Sequence, residues 1–224
     1  MKNKPWSYSR VKAFETCPKQ FYHTKVIRTY TEPETDAMRY GTDFHLAAEE
    51  YIRDGKPLPK RFEFAKKALD NLNKYAGDKY CELELGLKVD LTTCSFDDPE
   101  VWYRGIADLA IVNGTKAKAI DYKTGSLKSL RYVDMGQLEL MALAMFAKFP
   151  KVDDIKCALI YVVANKVIHD RFTRADIPAL WEKWLTKHAA FDKAFQLDRW
   201  NPRPSGLCRA HCIVEECPHN GRNQ

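Results

Sequence analysis

The sequence of 224 residues contains no apolar run near the roughly 20 residues that a membrane-spanning helix needs. Its lysine-rich first segment also lacks the apolar core of a signal peptide. These two absences predict a cytoplasmic protein with no membrane partner. The sequence has no internal repeat, no low-complexity stretch and no P-loop, which excludes repeat architectures and P-loop motors.

Acidic residues are scarce at the start of the chain, although the overall composition is ordinary for a globular protein. The first 31 residues hold Glu15 as their single acid, against the basic residues Lys2, Lys4, Arg10, Lys12, Lys19, Lys25 and Arg28. Interleaved aromatics are Trp6, Tyr8, Phe14, Phe21, Tyr22 and Tyr30. This pattern is typical of a surface that follows a phosphate backbone and stacks bases. It is equally typical of an amphipathic helix with an aromatic core face, and the two interpretations are compatible.

The alternation of helical and strand patterns predicts an α/β (α+β) fold with a central mixed sheet flanked by helices. We expect one domain over residues 1–200. It would contain a helical segment over 1–78, a sheet core over 79–173 and a C-terminal helix over 174–200. Residues 201–224 change character and are rich in Pro, Gly, Cys and His, which predicts a separate tail.

The stretch over residues 104–125 predicts a β-hairpin. Its first arm is apolar and β-branched, Asn113-Gly114 is a strong hairpin signal, and a second apolar arm follows. With these two residues as the loop, Asp108 lies opposite Ala119 and Asp121 lies opposite Ile106. Because side chains alternate between faces with a period of two, both aspartates are expected to project from the same face.

Lys123 projects from that same face, so two carboxylates and an ammonium group converge. Together they can hold a hard divalent cation and a phosphate oxygen, which favours nuclease chemistry. The alternative is a solvated face of an edge hairpin without function, because charge on a strand face is ordinary.

Three further polar residues are candidates for the same site. His45 and Glu49 are four residues apart on a helix predicted over residues 37–53, so they share a helix face. Imidazole is a good metal ligand, and a carboxylate one turn away can orient it. Gln137 begins a helix predicted to run to Lys148. Each of these is also common as a plain surface residue.

The candidate motifs form a recognisable order along nearly the whole chain. They are Cys17-Pro18, Gly41-x3-His45-x3-Glu49, Gly105-Ile106-Ala107-Asp108, Asp121-Tyr122-Lys123-Thr124-Gly125, Gln137 and a terminal cysteine cluster. This order resembles the RecB-like branch of the PD-(D/E)XK nuclease superfamily, which includes stand-alone phage nucleases and CRISPR-adaptation exonucleases. The resemblance implies a restriction-endonuclease-like core and a Mg²⁺- or Mn²⁺-dependent deoxyribonuclease, more often an exonuclease than an endonuclease. It also implies a role in recombination, repair or phage DNA processing, with a helicase or recombination protein as a partner.

The resemblance also implies roles for individual residues. The metal ligands would be His45, Asp108, Asp121 and the backbone carbonyl of Tyr122, with Glu49 behind them. Lys123 would position or help deprotonate the attacking water, and Gln137 would support the site and contact DNA. The family often carries a DNA-contacting tyrosine four residues after this glutamine. Here that position is Met141, so we assign no such contact to it.

The seven cysteines divide into two groups. Cys81, Cys94 and Cys157 fall in or near predicted strands, where cysteine is usually a small buried hydrophobe. Relatives with one early and three late cysteines hold an iron–sulfur cluster that joins both chain ends, and Cys17, Cys208, Cys212 and Cys217 match that plan. The tail would then pack back on the N-terminal segment. The spacing Cys208-x3-Cys212-x4-Cys217 departs from the Cys-x2-Cys pair common in such relatives. A zinc site that adds His211 or His219, or no metal, therefore remains open.

A second function belongs to a different class. The chain could be a catalytically silent DNA-binding module of the same fold, with the basic first segment as its binding surface. The presence of Asp108, Asp121 and Lys123 together favours the active nuclease, because a silent relative would often have lost one of them.

Overall fold

A computed structural model of the chain describes residues 5–126 and 133–223. Lys2 and Lys4 of the basic first segment lie outside these ranges. The chain divides into two compact units, one of which combines Met1–Glu34 with Glu182–Gln224, while the other comprises Thr35–Trp181. Within the described ranges, no helix has both the length and the apolar character needed to cross a membrane.

The secondary structure contains six helices and six strands in the described part of the chain. The helices are α1 (Tyr8–Thr16), α2 (Pro18–Phe21), α3 (Asp36–Asp54), α4 (Lys66–Asn73), α5 (Gly136–Lys148) and α6 (Ile177–Gln196). A π-helical turn covers Tyr22–Val26, and short 3₁₀ segments include Lys60–Ala65. The strands are β1 (Asp78–Leu87), β2 (Thr93–Cys94), β3 (Tyr103–Asn113), β4 (Lys116–Lys123), β5 (Asp154–Tyr161) and β6 (Lys166–Thr173).

All six strands form one sheet in the order β2-β1-β3-β4-β5-β6. Neighbouring strands are antiparallel except for β4 and β5, which are parallel. A parallel pair needs a long crossover connection, and α5 supplies it. This topology confirms the predicted mixed sheet flanked by helices.

Local sequence signals explain where α3 begins and ends. The Thr35 side chain accepts a hydrogen bond from the backbone N–H of Met38, which satisfies one of the free donors of the first turn. Gly55 ends the helix with φ of +68°, a conformation that glycine adopts without steric cost. The helix predicted over residues 37–53 is therefore confirmed to within one residue.

The larger unit buries an apolar core between α3, α4 and one face of the sheet. Phe44 and Ile52 of α3 and Phe62 of the 3₁₀ segment pack with Leu69 of α4 and Ile120 of β4. Burying one such side chain contributes about 1.5–3 kcal/mol, so this layer holds α3 firmly against the strands. Helix α5 is apolar on all sides and buried along most of its length, as expected for an internal crossover helix.

The β3–β4 hairpin differs from its predicted register by two residues. Asn113 pairs with Lys116, so the loop is Gly114-Thr115 and not Asn113-Gly114. Gly114 has φ of +61° at the first loop position, where type II′ turns favour glycine, while Asn113 remains in the strand. The register also places Asp108 opposite Asp121, and the predicted pairings of these residues with Ala119 and Ile106 were wrong. Asp108, Asp121 and Lys123 still project from one face, because a shift of two residues preserves the alternation of side chains between the faces.

The unit that contains both chain ends has an aromatic core. The Phe14 ring lies 6.1 Å from that of Phe21 and 5.4 Å from that of Phe191 between centroids. Trp6 stacks on Trp184 at 6.4 Å. Because Trp6, Phe14 and Phe21 are buried, their faces are not available to bases, and the amphipathic interpretation holds for these three residues.

Candidate active site

The predicted aspartates meet where β3 and β4 separate. The backbone pairing of the two strands runs as far as Leu109 opposite Ile120. At the next position, Asp108 Oδ2 accepts a hydrogen bond of 2.5 Å from the backbone N–H of Tyr122. Asp108 and Asp121 are only 8% and 5% exposed. Burying two carboxylates so close together is costly, and such sites are therefore frequently functional.

Asp121, Lys123 and Gln137 form a closed set of polar contacts. The Lys123 Nζ atom lies 2.7 Å from Asp121 Oδ2 and donates to Gln137 Oε1 at 3.0 Å. The Gln137 amide in turn donates to Asp121 Oδ1. Burial and then the Asp108 charge raise the pKa of Asp121, while the Lys123 ammonium opposes this effect. Gln137 therefore fixes the relative orientation of a carboxylate and an ammonium group.

Helix α3 brings His45 to the same position. Its Nδ1 atom lies 3.2 Å from Asp108 Oδ1. A side chain at Gly41, one turn earlier, would come within 3.3 Å of Thr124 Oγ1, so glycine permits the close approach of helix and strand. Burial opposes protonation of His45, but its hydrogen bond to Asp108 and the surrounding carboxylate charges outweigh burial and raise its pKa.

Glu82 is a site residue that the sequence analysis missed. It lies on β1 between Cys81, paired with Leu109, and Leu83, paired with Ala107, so it stands level with Asp108. Glu82, Asp108 and Asp121 therefore form a row across three adjacent strands. The sequence of β1 alone does not indicate that Glu82 belongs to the site. Its position beside Asp108 depends on the register between β1 and β3, which the sequence analysis did not predict.

The geometry of Glu82 is unusual in three respects. One carboxylate oxygen of Glu82, one ring nitrogen of His45 and one carboxylate oxygen of Asp108 all lie within 4.8 Å of one another. Among the described residues, no other group of three potential metal ligands is this close. The backbone φ of Glu82 is +48°, a strained conformation that is uncommon for a non-glycine residue. Its Oε1 atom is buried and has no hydrogen-bond partner within the described ranges. Burial and the Asp108 charge raise the pKa of Glu82 to about 7.

The remaining predicted site residues lie around this row. Glu49 accepts a hydrogen bond from Arg53, and its charge contributes to the raised pKa of Glu82. The Tyr122 ring packs edge-on against Phe44 and His45 at 5.8 and 6.1 Å. The metal-binding role of the Tyr122 carbonyl stays a prediction. Met141, which stands where the family often has a DNA-contacting tyrosine, is buried in α5. Its burial agrees with our not assigning a DNA contact to this position.

The predicted cluster cysteines meet in the unit that contains both chain ends. They are Cys17, Cys208, Cys212 and Cys217, and the last three belong to the tail. Burial and then the charges of the other three sulfurs raise the pKa of Cys212. The backbone N–H groups of Arg203 and Ser205 point at Cys17 and Cys208, with 3.4 Å between nitrogen and sulfur in each case. Hydrogen bonds to sulfur of this kind accompany thiolates in metal clusters.

Other polar contacts hold the tail in place within this unit. Glu216 accepts a hydrogen bond from the Tyr30 hydroxyl and lies 3.1 Å from His23 Nδ1. Asn220 is buried and donates to the carbonyls of Cys212 and Val214 at 3.1 and 3.0 Å. The sequence analysis gave no role to Asn220, although it organises the loop that carries two of the cysteines.

The spacing of the cysteines bears on which metal they fit. Zn–S bonds of about 2.3 Å place tetrahedral ligand sulfurs about 3.8 Å apart. In the described residues, no three ligand atoms from these cysteines, His211 and His219 lie within 4.8 Å of one another. The absence of such a close triple among these residues fits a cluster whose own iron and sulfide atoms separate the thiolates.

A buried row of carboxylates beside a lysine, at the diverging ends of two strands, is typical of metal-dependent phosphodiesterases. The sequence profile of the PD-(D/E)XK nuclease superfamily matches residues 5–219, and the chain belongs to this superfamily. The predicted superfamily is thus confirmed, while the RecB-like branch stays a prediction.

Two solved structures are similar to the chain. A protein from Eubacterium rectale, described as a presumed exonuclease, has a TM-score of 0.50 at 9% identity over 95% of this chain and 90% of its own. The crystal structure of SSO0001 has a TM-score of 0.46 at 12% identity over 98% of this chain and 89% of its own. At such low identity the likeness concerns the fold alone. No curated protein sequence matches the chain significantly.

Proposed function

We propose that this nuclease-family protein is a deoxyribonuclease that hydrolyses phosphodiester bonds with the help of a divalent cation. The observation that carries the proposal is the convergence of His45, Glu82 and Asp108 within 4.8 Å, beside the Asp121–Lys123 pair. Superfamily membership supports the reaction class. DNA as substrate and exonuclease action rest on the motif resemblance.

The donor set fits Mg²⁺ or Mn²⁺. Two carboxylates and one imidazole are hard or borderline ligands, and the unsatisfied Glu82 Oε1 is a buried acceptor in need of a cation. We assign His45, Glu82 and Asp108 as ligands, with Asp121 and the Tyr122 carbonyl completing the site. When bound, the cation would supply positive charge to a phosphate oxygen and ease the deprotonation of water.

The protein side chains perform the remaining tasks. Lys123 carries an ammonium group that can donate to a non-bridging phosphate oxygen and offset the charge that develops in the transition state. Asp121 and Gln137 hold this group from two sides, so its direction is set before substrate binds. This preorganisation makes Gln137 a positioning residue. Glu49 lies one helical turn from His45, and its proposed role is to add negative charge beside the ligands, since that charge contributes to the raised pKa of Glu82.

The cysteine cluster is proposed to hold an iron–sulfur centre that joins the two chain ends. The hydrogen bonds from Arg203 and Ser205 to sulfur support this assignment, as does the absence of a close triple among the described cluster residues. A zinc site that recruits His211 or His219 is the second candidate, because His219 lines a cavity next to Cys208.

The test is digestion of end-labelled linear and closed circular DNA, single- and double-stranded, with Mg²⁺ or Mn²⁺. Asp121→Ala should lower the rate by a factor of about 100 or more, because several kcal/mol of transition-state stabilisation is removed. Asp43→Asn is the control, since Asp43 is a partly exposed carboxylate of α3 paired with Arg61. Loss of linear but not circular substrate would assign exonuclease action, in keeping with processing of DNA ends beside a helicase or recombination partner. DNA binding without cleavage by the wild type would favour the silent DNA-binding module.

A further inference from the structure

A groove of about 520 Å³ runs along the larger unit on the sheet face that also carries α4. One wall is formed by Phe64 and Ala65, at the end of the 3₁₀ segment, and by α4. The floor is formed by β4, β5 and β6, and the connection between the last two strands closes one end. None of the motifs from the sequence analysis includes this groove.

The groove is lined by basic residues without compensating acids. Lys67 lies on the helical wall, while Lys118 and Lys156 lie on the floor and Lys166 lies at the closed end. None of the lining residues that the structure describes carries a carboxylate. Four ammonium groups facing one concave surface attract a polyanion, and the low-dielectric walls strengthen that field.

Exposed aromatic and aliphatic side chains alternate with these lysines. Phe64 and Tyr75 are 49% and 46% exposed, and Val163 and Val167 are 55% and 58% exposed. So many exposed apolar side chains in one groove mark a binding surface. Lys118 Nζ lies 4.1 Å from the centre of the Tyr75 ring, so a cation and an aromatic face are presented together. Aromatic faces that stack bases, next to cations that pair with phosphates, are typical of single-strand binding grooves.

The closed end of the groove lies at the same end of β4 as Lys123, but on the other face of the sheet. Tyr161 lines the groove and pairs with Lys123 across the parallel β4–β5 ladder. The next backbone N–H, of Val162, donates to the Lys123 carbonyl at 3.0 Å. Because side chains alternate along a strand, Lys118 on the groove floor projects from the face opposite to that of Asp121 and Lys123. The groove is therefore a surface separate from the proposed reaction centre.

We propose that the groove binds single-stranded nucleic acid as a surface separate from the active site, with phosphates on the lysines and unpaired bases on Phe64 and Tyr75. The choice of single over double strand follows from the aromatic residues, because bases within a duplex have no free face to offer. The proposal goes beyond the nuclease assignment and does not depend on it. The binding surface itself is independent of catalysis.

Fluorescence anisotropy with a labelled 20-nucleotide oligo(dT) tests the groove in the presence of EDTA, where no cleavage interferes. The double variant Lys67→Gln/Lys156→Gln should weaken binding about tenfold and reduce the slope of log K against log salt by about 1.4. Tyr75→Ala should weaken binding about fivefold or more through lost stacking. The matched control is Lys60→Gln/Lys151→Gln, which removes two exposed lysines outside the groove and should bind like the wild type. Thermal unfolding verifies that each variant is folded.

The outcomes separate this proposal from the nuclease assignment. Equal oligo(dT) affinity for the groove variant and the control variant would overturn the groove, and an acidic protein segment would then be the occupant to test. Tighter binding of a blunt duplex than of oligo(dT) would also overturn it. If the groove variant loses affinity while wild type with Mn²⁺ cleaves no DNA, the groove stands and the nuclease assignment fails.

Discussion

The carboxylate row and the cysteine cluster are two polar sites built in opposite ways. The row places Glu82, Asp108 and Asp121 on three adjacent strands, where backbone ladders fix each residue. The cluster takes Cys17 from the junction of two short helices and the other three cysteines from a tail with little regular structure. One site is rigid through its sheet, whereas the other closes a loop of about 190 residues between its first and second ligands.

The two sites should therefore have opposite effects on the free energy of unfolding. In the row, burial, like charge and a strained Glu82 backbone all oppose folding, and the sheet must supply the stability to tolerate them. In the cluster, no sheet or long helix sets the sulfur positions, so a bound metal would supply much of the free energy that orders the tail. Removal of metal should therefore leave the carboxylates of the first site uncompensated within an intact sheet, whereas it should loosen the fold around the second.

The largest effect is expected from breaking the cysteine cluster. If the proposed iron–sulfur centre is present, Cys212→Ser should lower the unfolding free energy by several kcal/mol and abolish iron binding, because metal binding and folding are coupled in such sites. The measurements are metal analysis of protein purified without oxygen, and denaturant unfolding. Cys94→Ser, which alters a half-buried cysteine on β2, is the control and should change stability by about 1 kcal/mol or less. Stoichiometric zinc in the wild type would favour the alternative site, and an unchanged unfolding curve for Cys212→Ser would remove the structural role.

A smaller and opposite effect is expected from the carboxylate row. Glu82→Gln should weaken Mn²⁺ binding about 10- to 100-fold, yet raise the stability of the metal-free protein, because a buried charge without a partner is removed. Calorimetric titration with Mn²⁺ and urea unfolding in EDTA measure the two quantities. Glu84→Gln serves as the matched control, since Glu84 is an exposed glutamate two residues along the same strand. If Glu82→Gln binds Mn²⁺ as tightly as Glu84→Gln does, Glu82 is not a ligand.

The two sites also differ in what the sequence could predict. Asp108, Asp121 and Lys123 could be placed on one face because a hairpin is local and its alternation tolerates a shift of two residues. The loop itself was misplaced, since Asn-Gly marks a turn without deciding which of the two residues begins it. Glu82 escaped notice because its position depends on pairing between strands about 25 residues apart. Asn220 escaped notice because nothing in a loop sequence indicates which side chain will be buried.

The smallest effect concerns the pH dependence of the metal-free row. The pKa of Glu82 is raised from 4.5 to about 7 in the folded protein. Between about pH 4.5 and pH 7, Glu82 therefore keeps a proton in the folded chain that it has lost in the unfolded chain. Stability should therefore fall as pH rises through this window and level off above it, by about 1 kcal/mol after solvent screening. Asp121 and His45, whose pKa values are also raised, act in the same direction.

Urea unfolding in EDTA at pH 5, 6, 7 and 8 measures this trend, with Glu82→Gln expected to show a shallower slope. Mn²⁺ should counteract the trend, because the cation binds the deprotonated carboxylates and takes over the role of the proton. Stability of the metal-free wild type that rises between pH 5 and 7 would contradict the strained, like-charged row. An equal slope in Glu82→Gln would instead assign the titration to Asp121 and His45. Either result would show how far the sheet alone, without metal, holds these carboxylates together.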